Sequence, residues 1–402
     1  MHNNFNHLAR NSIEKQIRPA WQAIRTRGDL SVFSAVVRGK LDLRYPVGTN
    51  PDHLKATMDW LCRAQDATPD DGVSGNYDPV AGTWYPSYPE TTGYIIPTFF
   101  NYAANIGDDS FRARAIRMAY WLLSIQLESG AFPGPSWLDL KGEPVVFDTG
   151  QIIHGLVRAF EETGETRFLD AVHRAGDWLV EVQEEDGSWR KFDLGYAHTY
   201  NARSAWAMLR IDQADQSSQY RLAALKNLNW VLSQQNPDGW FHNASFEPGE
   251  NPLTHTLAYI IEGVLEVGKI LVNQTMIEAA RLASNAIRDR QRQDGYLQGT
   301  YGLGWQSEAT WSCLTGNAQM ALIWLKFYEM TNDTGYLQAA TSANHFLKQV
   351  QSRSSRSLGI RGGVAGSYPI YGDFGSYRYP NWAAKFFADS LMLEDHLRRK
   401  KE

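Results

Sequence analysis

Glu90, Asp148, His198 and His255 stand at matching points of a pattern that recurs through this 402-residue chain. Two carboxyl groups on either side of one bond can cleave a glycoside. One is kept protonated as the acid, and the other is ionised as base or nucleophile. Glu90 and Asp148 open neighbouring units and form the first pair for that task. An imidazole can instead take a proton beside a sugar carboxylate, the step that lyases and epimerases need. His198 and His255 suit that role, and Arg203, five residues after His198, would clamp the carboxylate. Each residue also has a plainer reading. Asp148, followed by Thr149-Gly150, fits an ordinary N-cap. Glu90 would serve in a salt bridge, and each histidine would pack locally. Tyr200, Tyr301 and Tyr371 are further proton donors by type, although such rings more often pack.

Aromatic residues crowd the segments between periodic stretches. Sugar rings offer apolar C–H faces that stack on aromatic rings while their hydroxyls bond to polar tips. Trp84, Tyr88, Trp137, Tyr301, Trp305 and Tyr371 are the stacking candidates. Glu308 and Asn381 join them as polar contacts. Trp189 and Trp240 directly follow a repeated turn, so they are expected to pack.

The elements that would bring these residues together are helical. A glutamine recurs five residues after an aromatic or apolar anchor: Trp60/Gln65, Trp121/Gln126, Trp178/Gln183, Trp230/Gln235, Ala286/Gln291 and Phe346/Gln351. A glycine turn follows each time, at Asp71-Gly72, Ser129-Gly130, Asp186-Gly187, Asp238-Gly239, Asp294-Gly295 and Gly362-Gly363. Glycine supplies the left-handed backbone that ends a helix. Apolar positions on both sides of the turns keep a 3.6-residue period, as in Ala171, Val172, Ala175, Trp178, Leu179 and Val182. The second helix of each unit starts near Asp, Asn, Thr or Gly in cap-like positions. Six helical hairpins result, over 53–402, preceded by an extension over 1–52. An open solenoid needs polar capping repeats at its ends. The last hairpin is as apolar as the rest, with Trp382, Phe386, Phe387, Leu391 and Met392, so closure into a ring is expected.

On this pattern the chain resembles the (α/α)6 toroid superfamily of glycoside hydrolases, polysaccharide lyases and sugar epimerases. The resemblance implies an all-α toroid and activity on an oligo- or polysaccharide. Unsaturated glucuronyl hydrolases of that superfamily use acidic residues at inner-helix starts, where Glu90 and Asp148 fall. The segments Cys313–Gln319, Gly366–Pro369 and Pro380–Phe386 resemble uncharacterised proteins associated with surface-polysaccharide synthesis. Gln183-Glu-Glu-Asp-Gly-Ser-Trp189 is similar to the QxxxGxW repeat of triterpene cyclases, but their protonating DxDD does not occur here. Trp311-Ser-Cys313-Leu-Thr-Gly316 is similar to part of the lanthionine-cyclase zinc motif, without the Cys-His-Gly that completes it.

Composition narrows the alternatives. A net charge of −5 argues against a general nucleic-acid binder. Two cysteines suit neither a disulfide framework nor a four-thiolate zinc site. No apolar stretch is long enough to span a membrane, and the N-terminal segment lacks a signal-peptide core, so a cytoplasmic protein is expected. No P-loop, dinucleotide fingerprint, HExxH or GxSxG occurs, and neither a cofactor nor a metal is expected. The leading expectation is a saccharide-acting enzyme that hydrolyses a glycosidic bond with a carboxylate pair, an anionic substrate being allowed for. The alternatives are a uronate lyase or C5-epimerase, a non-catalytic glycan-binding scaffold, and a terpenoid cyclase-like protein.

Overall fold

Thirteen helices named here carry the architecture: α1 (Ser31–Lys40), α2 (Asn50–Asp66), α3 (Pro89–Ile106), α4 (Asp109–Ile125), α5 (Val146–Thr163), α6 (Thr166–Glu181), α7 (Ala202–Asp215), α8 (Ser218–Ser233), α9 (Thr254–Ile270), α10 (Gln274–Arg288), α11 (Leu314–Thr331), α12 (Thr334–Val350) and α13 (Asn381–Arg399). The structure is a computed structural model that describes residues 16–137 and 142–400. The first 15 residues, including part of the N-terminal extension, lie outside the described residues.

The helices alternate between two concentric rings. Helices α3, α5, α7, α9, α11 and α13 are buried around much of their circumference and form the inner ring. Helices α2, α4, α6, α8, α10 and α12 bury one face and form the outer ring. Each inner helix packs on the next, and α13 packs on both α3 and α2, so the ring is closed. At the seam, Asn381 Nδ2 donates to Thr91 Oγ1 at 2.8 Å, and the Tyr94 and Phe386 rings lie 5.6 Å apart. The antiparallel pairing of β1 (Asn76–Asp78) with β2 (Tyr379–Pro380) ties the first long loop to the last. Strands are otherwise confined to short pairs in the loops.

The repeated glutamines explain the ring. Gln126 Nε2 donates to Gly130 O in its own turn and to Ala171 O in the next outer helix, both at 2.8 Å. Gln183 does the same with Gly187 and Ala223, Gln235 with Gly239 and Ala279, and Gln291 with Gly295 and Ala339. Gln65 reaches Asp71 O and Arg114 O. There the left-handed residue is Asp71, at φ +67°, rather than the glycine after it. The turn glycines could carry no side chain. A Cβ on Gly295 would sit 2.0 Å from Ser342 O. Each clip is worth about 0.5–1.5 kcal/mol net, and leaving its carbonyls unpaired would cost more.

Residues 16–27 and α1 lie beside the last long loop. The Tyr368 hydroxyl donates to Asp42 Oδ1 at 2.9 Å, and the guanidinium of Arg44 stacks 4.4 Å from the Tyr368 ring. Among the described residues, no helix is long and apolar enough to cross a membrane.

Candidate active site

All six inner helices begin at the same mouth of the ring. The expected side-chain caps are not what starts them. The flanking residues are Tyr88, Val145, Asn201, Leu253, Cys313 and Pro380, and none caps through its side chain. Thr92, Thr149 and Asn317, just inside their helices, instead accept hydrogen bonds from the backbone N–H of Val73, Phe132 and Leu297. They anchor the preceding loop. This frees the acids: Asp148 is the third residue of α5, not its N-cap, and its Oδ2 is buried with no partner.

A cavity of about 390 Å³ opens at this mouth. Glu90, Asp148 and His255 line it together with Tyr88, Trp137 and Tyr200, six of the residues that the sequence singles out. The walls are strongly aromatic: Tyr94, Phe147, Phe246, Tyr259, Phe374 and Trp382 complete much of the lining. Trp137 stands edge-on to Tyr88 at 5.2 Å. Trp382 Nε1 is a second buried polar atom without a partner.

The electrostatics follow from burial. Asp148 is 4% exposed. Loss of water pushes its carboxyl well above the usual range, and the charges of Glu90 and Asp193 push it further. Burial thus favours the protonated form of Asp148 over the ionised one. Burial also raises Glu90, to about 7, against the hydrogen bonds of Tyr88 and Tyr94 and the charge of Arg203. The orienting N–H groups and positive ends of α3 and α5 suit whatever negative charge the pair retains. Burial pushes His255 down to about 4, so the ring is neutral at pH 7. Its Nδ1 lies 2.7 Å from Gln319 Oε1. That contact assigns the proton to Nδ1 and the lone pair to Nε2.

Asp193 was not singled out by sequence reasoning, yet it lines the same cavity. Its Oδ2 accepts from His198 Nδ1 at 2.9 Å and from Asn201 Nδ2 at 2.5 Å. His198 is thus behind the wall, fully buried between the rings of Tyr196 and Tyr200. It orients Asp193 and does not face the cavity. Tyr94 and Tyr259 were also missed. They lie four residues after Glu90 and His255, one helical turn deeper, where their hydroxyls approach to 3.5 Å. That i, i+4 spacing was the available signal.

The remaining candidates lie elsewhere. Arg203 points through the ring to its other side and pairs with Glu262. Asn381 holds the seam. Tyr301 is fully buried and its hydroxyl accepts from Gln298 N–H. Trp305 Nε1 donates to Asp238 O, so it packs on the outer rim. Trp84 packs against Trp60 and Tyr77. Tyr371 faces Lys40, and Glu308 is exposed on a loop. None of these lines the cavity. Among the described residues no cluster of His, Cys, Asp and Glu has the arrangement of a metal site.

Solved structures share this architecture. An unsaturated glucuronyl hydrolase specific for heparin superposes with a TM-score of 0.70 at 15% identity, over 86% of this chain and 97% of that one. A D-mannose isomerase gives 0.68 at 12% identity, over 87% and 97%. A cellobiose 2-epimerase from Bacillus thermoamylovorans B4167 gives 0.66 at 13% identity, over 86% and 98%. The fold is an (α/α)6 toroid. The sequence itself matches in a different direction. Residues 98–264 match the family of the squalene-hopene cyclase C-terminal domain. An ent-copalyl diphosphate synthase from Streptomyces sp. (strain KO-3988) is 42% identical over 79 residues, covering 19% of this chain and 14% of that protein. A squalene–hopene cyclase from Zymomonas mobilis subsp. mobilis (strain ATCC 31821 / ZM4 / CP4) is 24% identical over 274 residues, covering 62% of this chain and 39% of that protein. The toroid therefore corresponds to only part of the curated relatives it matches.

Proposed function

We propose that the chain is an acid-catalysing enzyme that hydrolyses a glycosidic bond in a neutral saccharide, with Asp148 as the proton donor. The observation that carries this is the buried Asp148 carboxyl whose Oδ2 has no partner in the protein, in surroundings that favour its protonated form. A proton on that oxygen is not engaged by another protein group and is free to meet a bound molecule. In the reaction, the Asp148 O–H donates to the glycosidic oxygen as the bond to the anomeric carbon breaks. Glu90, ionised, takes a proton from the water whose oxygen joins that carbon. The water oxygen and one hydrogen end on the anomeric carbon as a hydroxyl, and the other hydrogen passes from Glu90 back to Asp148, which regains its proton.

The walls favour a sugar. Their aromatic faces match C–H surfaces, and the hydroxyls of Tyr88, Tyr94, Tyr200 and Tyr259 supply polar tips among them. The unpartnered Trp382 Nε1 offers a donor to a hydroxyl. Among the described lining residues none is Arg or Lys, which favours a neutral saccharide over a uronate. The fold neighbours named glucuronyl hydrolase, cellobiose epimerase and mannose isomerase act on sugars by name, in keeping with this reading.

A second reading is favoured by the cyclase matches and by the same walls. A neutral carboxylic acid can protonate a polyene, and Phe147, Phe374, Tyr259 and Trp382 would face the resulting cation. One experiment separates the two. The protein is incubated with a panel of neutral oligosaccharides and, in parallel, with linear polyprenyl substrates, and products are detected by mass. Hydrolysis gives two fragments that together equal substrate plus one water. Cyclisation gives an isomer of unchanged mass. Saccharide binding that persists in Glu90→Gln/Asp148→Asn, with no turnover of any substrate by the wild type, refutes both.

A further inference from the structure

The toroid has a second cavity, about 570 Å³, at the opposite mouth. Only Tyr94 lines both, and a layer of Tyr94, Tyr259, Phe386 and Arg203 separates them. Its chemistry is the reverse of the first. Arg158, Arg203, Arg210, Lys326, Lys385 and Arg399 line it, against Glu262 and Asp389. Glu161, Glu162 and Glu266, outside the lining, pair with Arg210, Arg158 and Lys326, and the six cations still outnumber the five carboxylates.

Inner helices end at this mouth, and cations near helix C-termini would offset their dipoles. That accounts for Arg399, in the last turn of α13. It does not account for Arg203, the second residue of α7, or Lys385, the fifth of α13. Both are nearly fully buried near the positive ends of their own helices, where a cation is disfavoured. The excess of positive charge is felt locally. Burial lowers His154, and Arg203 and Arg210 lower it further. Lys385 is lowered by burial and by Arg203, against Asp389.

Three more features shape the basin. Arg210 Nε is a buried donor without a partner. Asp389 Oδ1 is a buried acceptor without a partner, although Oδ2 holds Lys385 at 2.7 Å. The Trp206 ring lines the same basin, with the His154 ring 4.4 Å away and Arg203 and Lys326 5.3 and 5.4 Å from its centre. Donors for an oxyanion, an acceptor for a hydroxyl and an aromatic plate thus surround one space.

The geometry points to a binding site for a small phosphorylated, hydroxyl-bearing ligand, a sugar phosphate in chemical class, in this basin and separate from the acid-lined cavity. Its phosphate lies among Arg158, Arg210 and Arg399, its ring covers Trp206, and a hydroxyl donates to Asp389 Oδ1. Arginine forks suit phosphate oxygens in pairs. The site stands whether or not Asp148 cleaves glycosides, because it uses none of the same side chains apart from Tyr94.

The test is calorimetric titration of the full chain with hexose 6-phosphate, with the unphosphorylated hexose and with inorganic phosphate. The expected result is binding of hexose 6-phosphate at least about ten-fold tighter than either of the others, weakening as salt is raised. Arg158→Gln/Arg210→Gln/Arg399→Gln, whose side chains are at the rim, is expected to lose at least about ten-fold in that affinity while its thermal unfolding stays cooperative. Absence of heat with hexose 6-phosphate overturns the proposal. So does an affinity equal to that of the free hexose, or one unaffected by salt. Should the triple variant not fold, Arg399→Gln alone, an exposed change that gives up a bond to Asn105 and a charge near Asp395, carries the same comparison.

Discussion

Gln351 and Thr57 lie nearly three hundred residues apart in sequence, and Gln351 Nε2 donates to Thr57 Oγ1 at 2.8 Å. The same amide donates to Gly362 O at 2.7 Å, and Oε1 lies 2.6 Å from His53 Nδ1. Every other repeated glutamine clips its turn to the following outer helix. Gln351 clips the last turn to the first outer helix, α2, and so completes the circle. Its side chain is buried, so truncation strands several polar groups at once. Gln351→Ala is expected to destabilise the fold by about 2–3 kcal/mol, a buried donor or acceptor left alone costing about 1–3 kcal/mol. Gln291→Ala, whose bond to Gly295 O is long at 3.5 Å, is expected to cost less. Urea unfolding of the two variants measures the difference. Equal losses would mean that the closing clip is no different from the others.

The turn glycines carry two separate demands, backbone and space. Gly295 has φ +87° and no room for a Cβ beside Ser342 O; Gly164 has φ +72° and nothing within 4 Å of an added Cβ. Gly164→Ala therefore pays only the left-handed backbone, about 1–2 kcal/mol. Gly295→Ala must also push α12 away from the turn and is expected to cost clearly more, with a lower denaturation midpoint than Gly164→Ala. A midpoint equal to that of Gly164→Ala would show that the turn can shift freely.

The pair Glu90 and Asp148 makes stability depend on pH in a definite direction. Both carboxyls bind protons more tightly folded than unfolded. The folded state therefore holds more protons above an ordinary carboxyl pKa, near 4, and stability declines as pH rises from there. For Glu90 the decline runs up to about 7. Asp148, raised well above its usual value by burial first and the neighbouring acids second, adds to the decline in the same direction. Asp148→Asn keeps the shape and removes the titration. It is expected to unfold at a higher temperature than the wild type above pH 7, with the gap closing toward pH 4. Catalysis moves oppositely, with turnover falling by about 100-fold or more on loss of the proton donor. A melting series from pH 4 to 9 on both proteins checks the sign. A gap that widens toward low pH would contradict neutral burial.

Much of the ring was legible because its signals are demands of the backbone. A glutamine that must satisfy two carbonyls and a glycine that must turn left-handed recur at fixed offsets whatever packs around them. The apolar period then marks which helices face inward. The site was legible only where one residue position decides its direction. Glu90 and His255 are second residues of α3 and α9, and Asp148 is the third of α5, so the helix start aims them at the mouth. His198 departs because a 3-10 turn over Thr199–Asn201 precedes α7 and shifts the entry, placing Asp193 at the wall instead. Trp84, Tyr301, Trp305 and Tyr371 lie in loops, whose paths follow from tertiary contacts that no local period encodes. Tyr94 and Tyr259 do not stand out by residue type, because an inner helix is apolar nearly all round.

Arg203 is the residue whose role changes most, and its replacement tells the two roles apart. As a clamp in the acid-lined cavity it would hold a charged substrate, and its loss would raise KM. In the structure its guanidinium donates to Glu262 and, at 2.9 Å, to Gln151 Oε1, both buried. Glu262 keeps Lys326 at 2.7 Å. Burial opposes the charge on Glu262, but Lys326, Arg203 and Lys385 together hold its carboxyl below the usual range. Arg203→Met leaves that carboxylate with one close partner fewer. Breaking a buried pair from one side costs about 3–5 kcal/mol. Arg203→Met is expected to fall in that range, and Arg203→Met/Glu262→Gln to regain part of the loss, since no stranded charge remains. Chemical denaturation of both variants measures this. A single variant as stable as the wild type, or a double variant less stable than the single one by the full cost of a second lesion, would mean that Arg203 and Glu262 do not depend on each other.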